Sequence, residues 1–313
     1  MRFYKRIALI AGSGLLLWVG WYVVFSEGYE KYYGNKLSRL REIFMGSARY
    51  DVLFLGSSRT HRSIHPAIID SITGRSSFNA GVEGGNLLEF LLTFQGYLIH
   101  HPPPNLLVLT IDVSSFNLDK KFVDYSEYYN VLDNRVVDST LRANGLFTFI
   151  PKHFPPYRLI NFDEITKRNA FRGLRGVQEL EKDQVAYKGF LSNRYRCVDS
   201  TEAFPIQTVK IAKDALSYFT EIINECRARN IKVMLTYAPE YKFKLQSSFQ
   251  NPHLAFSLLD SLCRKYSLLL YRDDSLPLCN VECLFFNYGH LNKQGAIVYS
   301  AIVAKRIRDM NIF

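Results

Sequence analysis

Three short apolar runs constrain this chain more than any other feature: DVLFLGSS at 51–58, SSFNAGVEGG at 76–85 and LLVLTID at 106–112. The first and third are continuously apolar and too short for helices, as strands buried on both faces of a parallel sheet are. The second reads as a strand with a glycine-rich exit. Between the first two, Ser63, Pro66 and AIIDSIT ending at Gly74 spell a short helix with a cap, a first-turn proline and a stop glycine. Between the second and third, Leu87, Leu88, Leu91, Phe94 and Leu98 recur at helical spacing from Asn86 to His100, and Pro102 to Pro104 end the pattern. A β-α-β-α-β order of this kind builds a parallel sheet covered by helices. The rhythm returns with an amphipathic segment at 207–229, strands at 231–239 and 268–273, a helix at 252–266 and a last helix from Asn292 towards Arg308. The expected fold is α/β: a flavodoxin-like three-layer sandwich with a central parallel sheet of about five strands.

One transmembrane helix is expected ahead of this body. Residues 7–25, IALIAGSGLLLWVGWYVVF, are nineteen consecutive residues without a charge. As a helix they span about 28 Å, close to the hydrocarbon thickness of a bilayer. Arg2, Lys5 and Arg6 precede the stretch, and Glu27, Glu30 and Lys31 follow it. The positive-inside bias puts the N-terminus in the cytoplasm and the body on the periplasmic or extracellular side of the cell membrane. Trp18, Trp21 and Tyr22 suit the outer interface. A cleaved signal peptide is the alternative, but the stretch is long and no A-x-A-like site follows. The expected organisation is a cytoplasmic tip and single-pass anchor at 1–25, a stalk at 26–49, and one domain at 50–313 with an insertion or lid at about 115–205.

The insertion is rich in Tyr, Phe, Asn and Arg. Its aromatics (Tyr125, Tyr128, Tyr129, Phe147, Phe149 and Tyr157) suit either sugar stacking or a core. The formal charge is +10, from 39 Lys and Arg against 29 Asp and Glu. The basic residues are scattered, and neither zinc-finger spacing nor an RNP-like motif is present, so a nucleic-acid partner is not expected. Five cysteines, Cys197, Cys226, Cys263, Cys279 and Cys283, leave at least one unpaired; Cys279 and Cys283 are one possible pair. No metal site and no organic cofactor are expected.

In an open parallel sheet, ligands bind beyond the carboxyl ends of the strands. Gly56-Ser57-Ser58, Asn79-x-Gly81-x-x-Gly84 and the stretch Asp112 to Asn117 all fall at such ends. A fourth sequence, Asn287-Tyr288-Gly289-His290-Leu291-Asn292, lies between the last strand and the last helix. Singly, each has a structural reading: a turn, a permissive glycine, a packed histidine, an N-cap. Together, on one rim and in this order, they supply a hydroxyl, an imidazole and backbone donors. A serine hydroxyl is a weak nucleophile until an adjacent base takes its proton, and acyl transfer needs preorganised donors for its oxyanion. His61, His65, His100 and His101 lack metal-like partners and are read as surface or packing residues.

These blocks resemble the SGNH (GDSL-like) hydrolase and acyltransferase superfamily. LFLGSSR is similar to its first block, FNAGVEGG to its second, and NYGHLNKQGA to its last. The resemblance implies Ser58 as nucleophile, His290 as base and the amides of Ser58 and Gly84 as oxyanion donors, with Asn117 a weak further candidate. The family acid three residues before the histidine is here Asn287, so Asn287 holds that position or Asp273 or Asp274 substitutes. The third block, Gly-x-Asn-Asp, is absent after LLVLTID. The membrane-anchored branch, which includes the D-alanyl transfer protein of lipoteichoic acid and alginate O-acetyltransferases, implies a membrane-anchored esterase or O-acyltransferase using a Ser-His mechanism on a cell-surface glycan, alongside an integral membrane acyltransferase. The alternative is a catalytically degenerate relative, a glycan-binding or assembly subunit in which Asn287 marks loss of the acid.

Overall fold

The computed structural model describes residues 2–198 and 206–312. The chain forms two compact units, residues 1–41 with 124–181 and residues 42–123 with 182–313. The expected insertion at 115–205 therefore divides. Its central part belongs to the first unit, its flanks at 115–123 and 182–198 belong to the second, and 199–205 lie outside the described residues.

The second unit holds a five-stranded sheet: β1 (Val52–Leu55), β2 (Ser77–Asn79), β3 (Leu106–Thr110), β4 (Lys232–Tyr237) and β5 (Leu269–Arg272). All neighbours are parallel, in the order β2-β1-β3-β4-β5. This is the doubly wound order, in which successive connections leave β1 in opposite directions along the sheet and open a crevice at its carboxyl end. The alternation of a strand decides the two faces. Val52, Phe54, Leu106, Val108 and Met234 share one buried cluster with Ile69 of the helix Pro66–Thr73 and with Tyr299, Val303 and Ile307 of the helix Lys293–Asp309. The intervening Leu53, Leu55, Leu107, Leu109 and Leu235, all fully buried, point to the opposite face. The helices Leu87–Tyr97 and Lys213–Ala228 pack on each other, completing a helix layer of their own.

Several boundaries differ from the expected ones for local reasons. β1 stops at Leu55 because Gly56 takes φ +154°, and a Cβ there would lie 2.8 Å from the Thr110 carbonyl oxygen. Ser63 ends one short helix, Ser58–Ser63, and it is His65 whose ring nitrogen caps the next by accepting the Ala67 amide. The amphipathic run at 207–229 is helical only from Lys213, since Gln207–Thr208 pairs as a strand with Phe249–Gln250. Cys283 pairs with Cys197 rather than Cys279, and Cys226, Cys263 and Cys279 are free.

The first unit contains the helix Arg2–Tyr32, which is long and apolar enough to cross a membrane. Its C-terminal half packs on the helix Glu164–Leu174 at a seam of small residues. A Cβ on Gly28 would lie 2.1 Å from the Ala170 carbonyl oxygen, and one on Gly173 would lie 1.9 Å from the Gly28 carbonyl oxygen. Glycine on both sides lets the two backbones touch. Phe25, Tyr29, Tyr33, Leu37, Leu159, Phe162 and Ala170 form the core of this unit. Among the insertion aromatics, Tyr128 and Tyr129 are buried, whereas Phe147 and Phe149 are exposed.

Candidate active site

Ser58 opens the short helix Ser58–Ser63 directly after β1, with Ser57 as its N-cap. Its Oγ lies 2.8 Å from Nε2 of His290, a residue 232 positions further along the chain. His290 begins a two-residue strand that pairs back on Phe285–Asn287, a hairpin that precedes the helix Lys293–Asp309. The far nitrogen of the ring, Nδ1, lies 2.9 Å from Oδ1 of Asn287. That same oxygen accepts the backbone N–H groups of Gly289 at 3.1 Å and His290 at 3.0 Å. Two amide donors at one atom identify it as the carbonyl oxygen of the side chain. The proton of the imidazole therefore sits on Nδ1, and the Nε2 lone pair faces the serine hydroxyl. This is the tautomer a general base requires.

The other candidate acids are engaged elsewhere. Asp273 accepts the Tyr299 hydroxyl at 2.8 Å and pairs with Arg306 at 2.6 Å. Asp274 pairs with Arg272 and accepts Gln246 at 2.6 Å. Both are buried beneath the end of β5, and Asn287 occupies the position behind the histidine.

The second block is laced to the first. The Asn79 side-chain amide donates to the carbonyls of Thr60 and Ile64, and its oxygen accepts the Gly81 amide. The Val82 N–H donates to the Gly56 carbonyl at 2.7 Å. The glycine-rich loop is thus held on the same rim as Ser58. Gly84, at φ +65°, lies exposed in this loop. Asn117 stands after β3, where its side-chain oxygen accepts the Asp119 amide in a local turn.

Two charged groups that the motif reading passed over complete the surroundings. Arg59 is almost fully buried, donates to Asp112 Oδ1 at 2.6 Å and to the carbonyls of Ala238 and Pro239, and lies over the Tyr237 ring at 4.6 Å. Ser57 Oγ donates to the other oxygen of Asp112. This clasp joins the carboxyl ends of β1, β3 and β4, so the loop bearing Ser58 is tied to the ends of the next two strands on one side of β1. Glu83 bridges His61 and Arg62, each at 2.5 Å. Burial favours its protonated form, yet the contacts with His61 and Arg62 outweigh this and hold the carboxyl well below the usual range. The Glu83 carboxylate in turn bears on the catalytic candidate. Burial holds the His290 imidazolium below its ordinary 6.5, opposed by Glu83 and Asp112 and aided by Arg59 and Arg62. Of the remaining histidines, His65 stacks on Phe190 at 4.5 Å, and His101 stacks on Tyr97 at 4.0 Å with ring nitrogens on the carbonyls of Ala48 and Glu42. His100 is exposed. Among the described residues no group of three metal-ligating side chains converges.

A serine hydroxyl hydrogen-bonded to an imidazole whose far nitrogen is held by a neutral amide can in chemical terms act as an activated nucleophile, with an amide in the place of the usual carboxylate.

No family model matches the chain, and no curated protein matches it. Similar solved structures include one assigned to the G-D-S-L family of lipolytic proteins, from Desulfitobacterium hafniense, at 9% identity and a TM-score of 0.43, covering 81% of this chain and 97% of its own. A protein assigned as an acylhydrolase, from Bacteroides fragilis, is 14% identical with a TM-score of 0.42, covering 90% of this chain and 96% of its own. A GDSL-like lipase from Bacteroides thetaiotaomicron is also 14% identical, with a TM-score of 0.40, covering 90% and 98%. These three solved structures are described as a G-D-S-L family lipolytic protein, an acylhydrolase and a GDSL-like lipase.

Proposed function

We propose that this protein is a membrane-anchored serine esterase or O-acyltransferase that acts on acyl groups of a cell-surface glycan. The observation that carries the proposal is the 2.8 Å contact between Ser58 Oγ and His290 Nε2, with Nδ1 pinned by Asn287. In this reading Ser58 Oγ attacks the acyl carbonyl while Nε2 takes its proton. The amides of Ser58 and Gly84, with Asn117 as a further donor, meet the developing oxyanion; one such donor is typically worth about 10²–10³ in rate. The imidazolium then protonates the leaving alcohol, and the acyl group remains on Ser58 as an ester. Water or a sugar hydroxyl, deprotonated by the same imidazole, completes hydrolysis or transfer.

The apolar helix supports anchoring in the cell membrane, with Arg2, Lys5 and Arg6 on the cytoplasmic side. The Cys197–Cys283 disulfide supports an oxidising, extracytoplasmic setting for the second unit. An integral membrane acyltransferase that hands acyl groups across the bilayer is the partner this reading implies, and the glycan is the acceptor.

A fluorophosphonate probe tests the chemistry directly. Labelling of the wild type at Ser58, lost in Ser58→Ala and strongly reduced in His290→Ala, is the expected result. Full acetyl-ester turnover by Ser58→Ala would reject the assignment. Asn287 favours a second reading, a binding or assembly subunit that retains the fold without turnover. Absence of labelling in a folded wild type would support that one.

A further inference from the structure

We infer that the first unit dips into the outer leaflet, so that the segment 147–160 is an interfacial lipid-binding element as well as a packing partner of the anchor. The inference rests on the reading of residues 7–25 as the membrane span. It concerns residues with no part in the Ser58–His290 chemistry.

The folded part of this unit does not begin where the uncharged stretch ends. Trp18 packs edge-on against Phe154 at 5.5 Å, and Trp21 lies 5.4 Å from Phe171. Phe25, the last residue of the stretch, stacks on Phe162. Seven residues separate Trp18 from Phe25, about 10 Å along a helix axis. The stretch needs nearly all of its length to cross a hydrocarbon core of about 30 Å. Whatever packs beside Trp18 therefore lies below the plane at which Phe25 emerges, among acyl chains and headgroups.

The surface found there suits that setting and poorly suits water. Phe149 is 65% exposed, Ile160 61% and Phe147 57%, and Phe171 beside Trp21 is 42% exposed. Pro151, Pro155 and Pro156 keep the intervening turns short, and the segment is a helical turn, Phe149–His153, followed by a 3-10 turn, Pro155–Ile160. Exposed aromatic and aliphatic side chains on compact turns are how interfacial segments insert without leaving backbone groups unpaired. The same stretch is basic. Between 147 and 175 there are six Lys and Arg residues (Lys152, Arg158, Lys167, Arg168, Arg172 and Arg175) against Asp163 and Glu164. Of these, Arg168, Arg172 and Arg175 are exposed, and exposed cations beside an apolar surface match an anionic headgroup layer over acyl chains. Continuity with the anchoring helix and this charge pattern commit the occupant to lipid.

The chain contains only two tryptophans, Trp18 and Trp21, which makes the test clean. Full-length protein is reconstituted into phosphatidylglycerol-containing vesicles made with or without brominated acyl chains, and quenching of tryptophan emission is read. The wild type reports the span. Two single-tryptophan variants, Phe149→Trp and Ile160→Trp, each in a Trp18→Phe, Trp21→Phe background, report the segment. Both substitutions are at exposed positions, so neither should disturb folding. The inference predicts that both lose a fraction of their emission similar to that lost by the wild type, and that aqueous iodide quenches them less in vesicles than in detergent. Quenching of the wild type without quenching at 149 or 160 would overturn the inference and leave the span intact, as would protection from iodide alone, the signature of a protein partner. Loss of brominated-lipid quenching in the wild type as well would overturn the span itself, and the inference with it.

Discussion

Asn287→Asp is the most informative single change at the candidate site. The side-chain oxygen at 287 accepts three N–H groups, those of Gly289, His290 and the imidazole Nδ1. A carboxylate in that place keeps all three, and such a cluster of donors holds a carboxyl well into its ionised form. The geometry is retained while a charge is added behind the base. A hydrogen bond to a charged acceptor is worth about 1–2 kcal/mol more than one to a neutral acceptor. The Coulomb attraction of two unit charges 4 Å apart near a protein surface, about 4 kcal/mol, sets the upper bound. At about 1.4 kcal/mol per tenfold, kcat/KM of the proposed esterase rises between about 10-fold and 10³-fold. Replacing a protease triad Asp by Asn costs about 10⁴-fold because the imidazole adopts the wrong tautomer. Here the two backbone donors already force the right one, so a smaller factor is expected. The added charge also raises the imidazolium pKa, so the acid limb of the profile moves to higher pH as the plateau rises. The assay is hydrolysis of p-nitrophenyl acetate across the neutral range, with fluorophosphonate labelling as a check that Ser58 is accessible. A variant that is labelled normally but shows neither a raised plateau nor a displaced acid limb would refute the reasoning.

Three further outcomes follow from the same structure. Because burial holds His290 below 6.5, its imidazole stays neutral into mild acid, and if it serves as the proposed base the midpoint of the acid limb in kcat/KM is expected below that value. The unfolded chain takes up this proton first as pH falls, so stability measured by urea titration declines through the same range. Asp112→Ala leaves the buried Arg59 guanidinium without its counter-ion, and a loss of about 3–5 kcal/mol in urea unfolding is expected; a loss below about 1 kcal/mol would mean the clasp holds little. Replacing Cys197 and Cys283 by serine opens a loop between residues 86 apart, and chain entropy puts the cost at about 4–5 kcal/mol. Differential scanning calorimetry with and without reductant checks this, and kcat/KM is expected to fall as well, because Cys283 leads into the His290 hairpin.

The apolar character of β1 and β3, the spacing of Leu87 to Phe94 and the capping residues Asn86 and Asn292 are local signals, and the sheet, its parallel sense and most of its helices follow from them. The order of Ser58, Gly84, Asn287 and His290 along the chain was likewise legible, because each residue type sits in a short block at a strand end. Other features depend on what lies across the fold. Arg59 has no periodicity to betray it; its burial makes sense only once β1 and β3 stand side by side and Asp112, 53 residues away, faces it. The partner of Cys283 had to be found across 86 residues, where spacing carries no information. The grouping of residues 1–41 with 124–181 rests on aromatic and glycine contacts between helices far apart in sequence, a pattern that no local window contains. Sequence by itself determined which residue types stand at the rim and in what order, since propensity and hydrophobic period act over a few residues. Only tertiary structure decided that an imidazole 232 positions away comes within 2.8 Å of Ser58 with its lone pair towards the hydroxyl, because that depends on the packing of whole elements against one another.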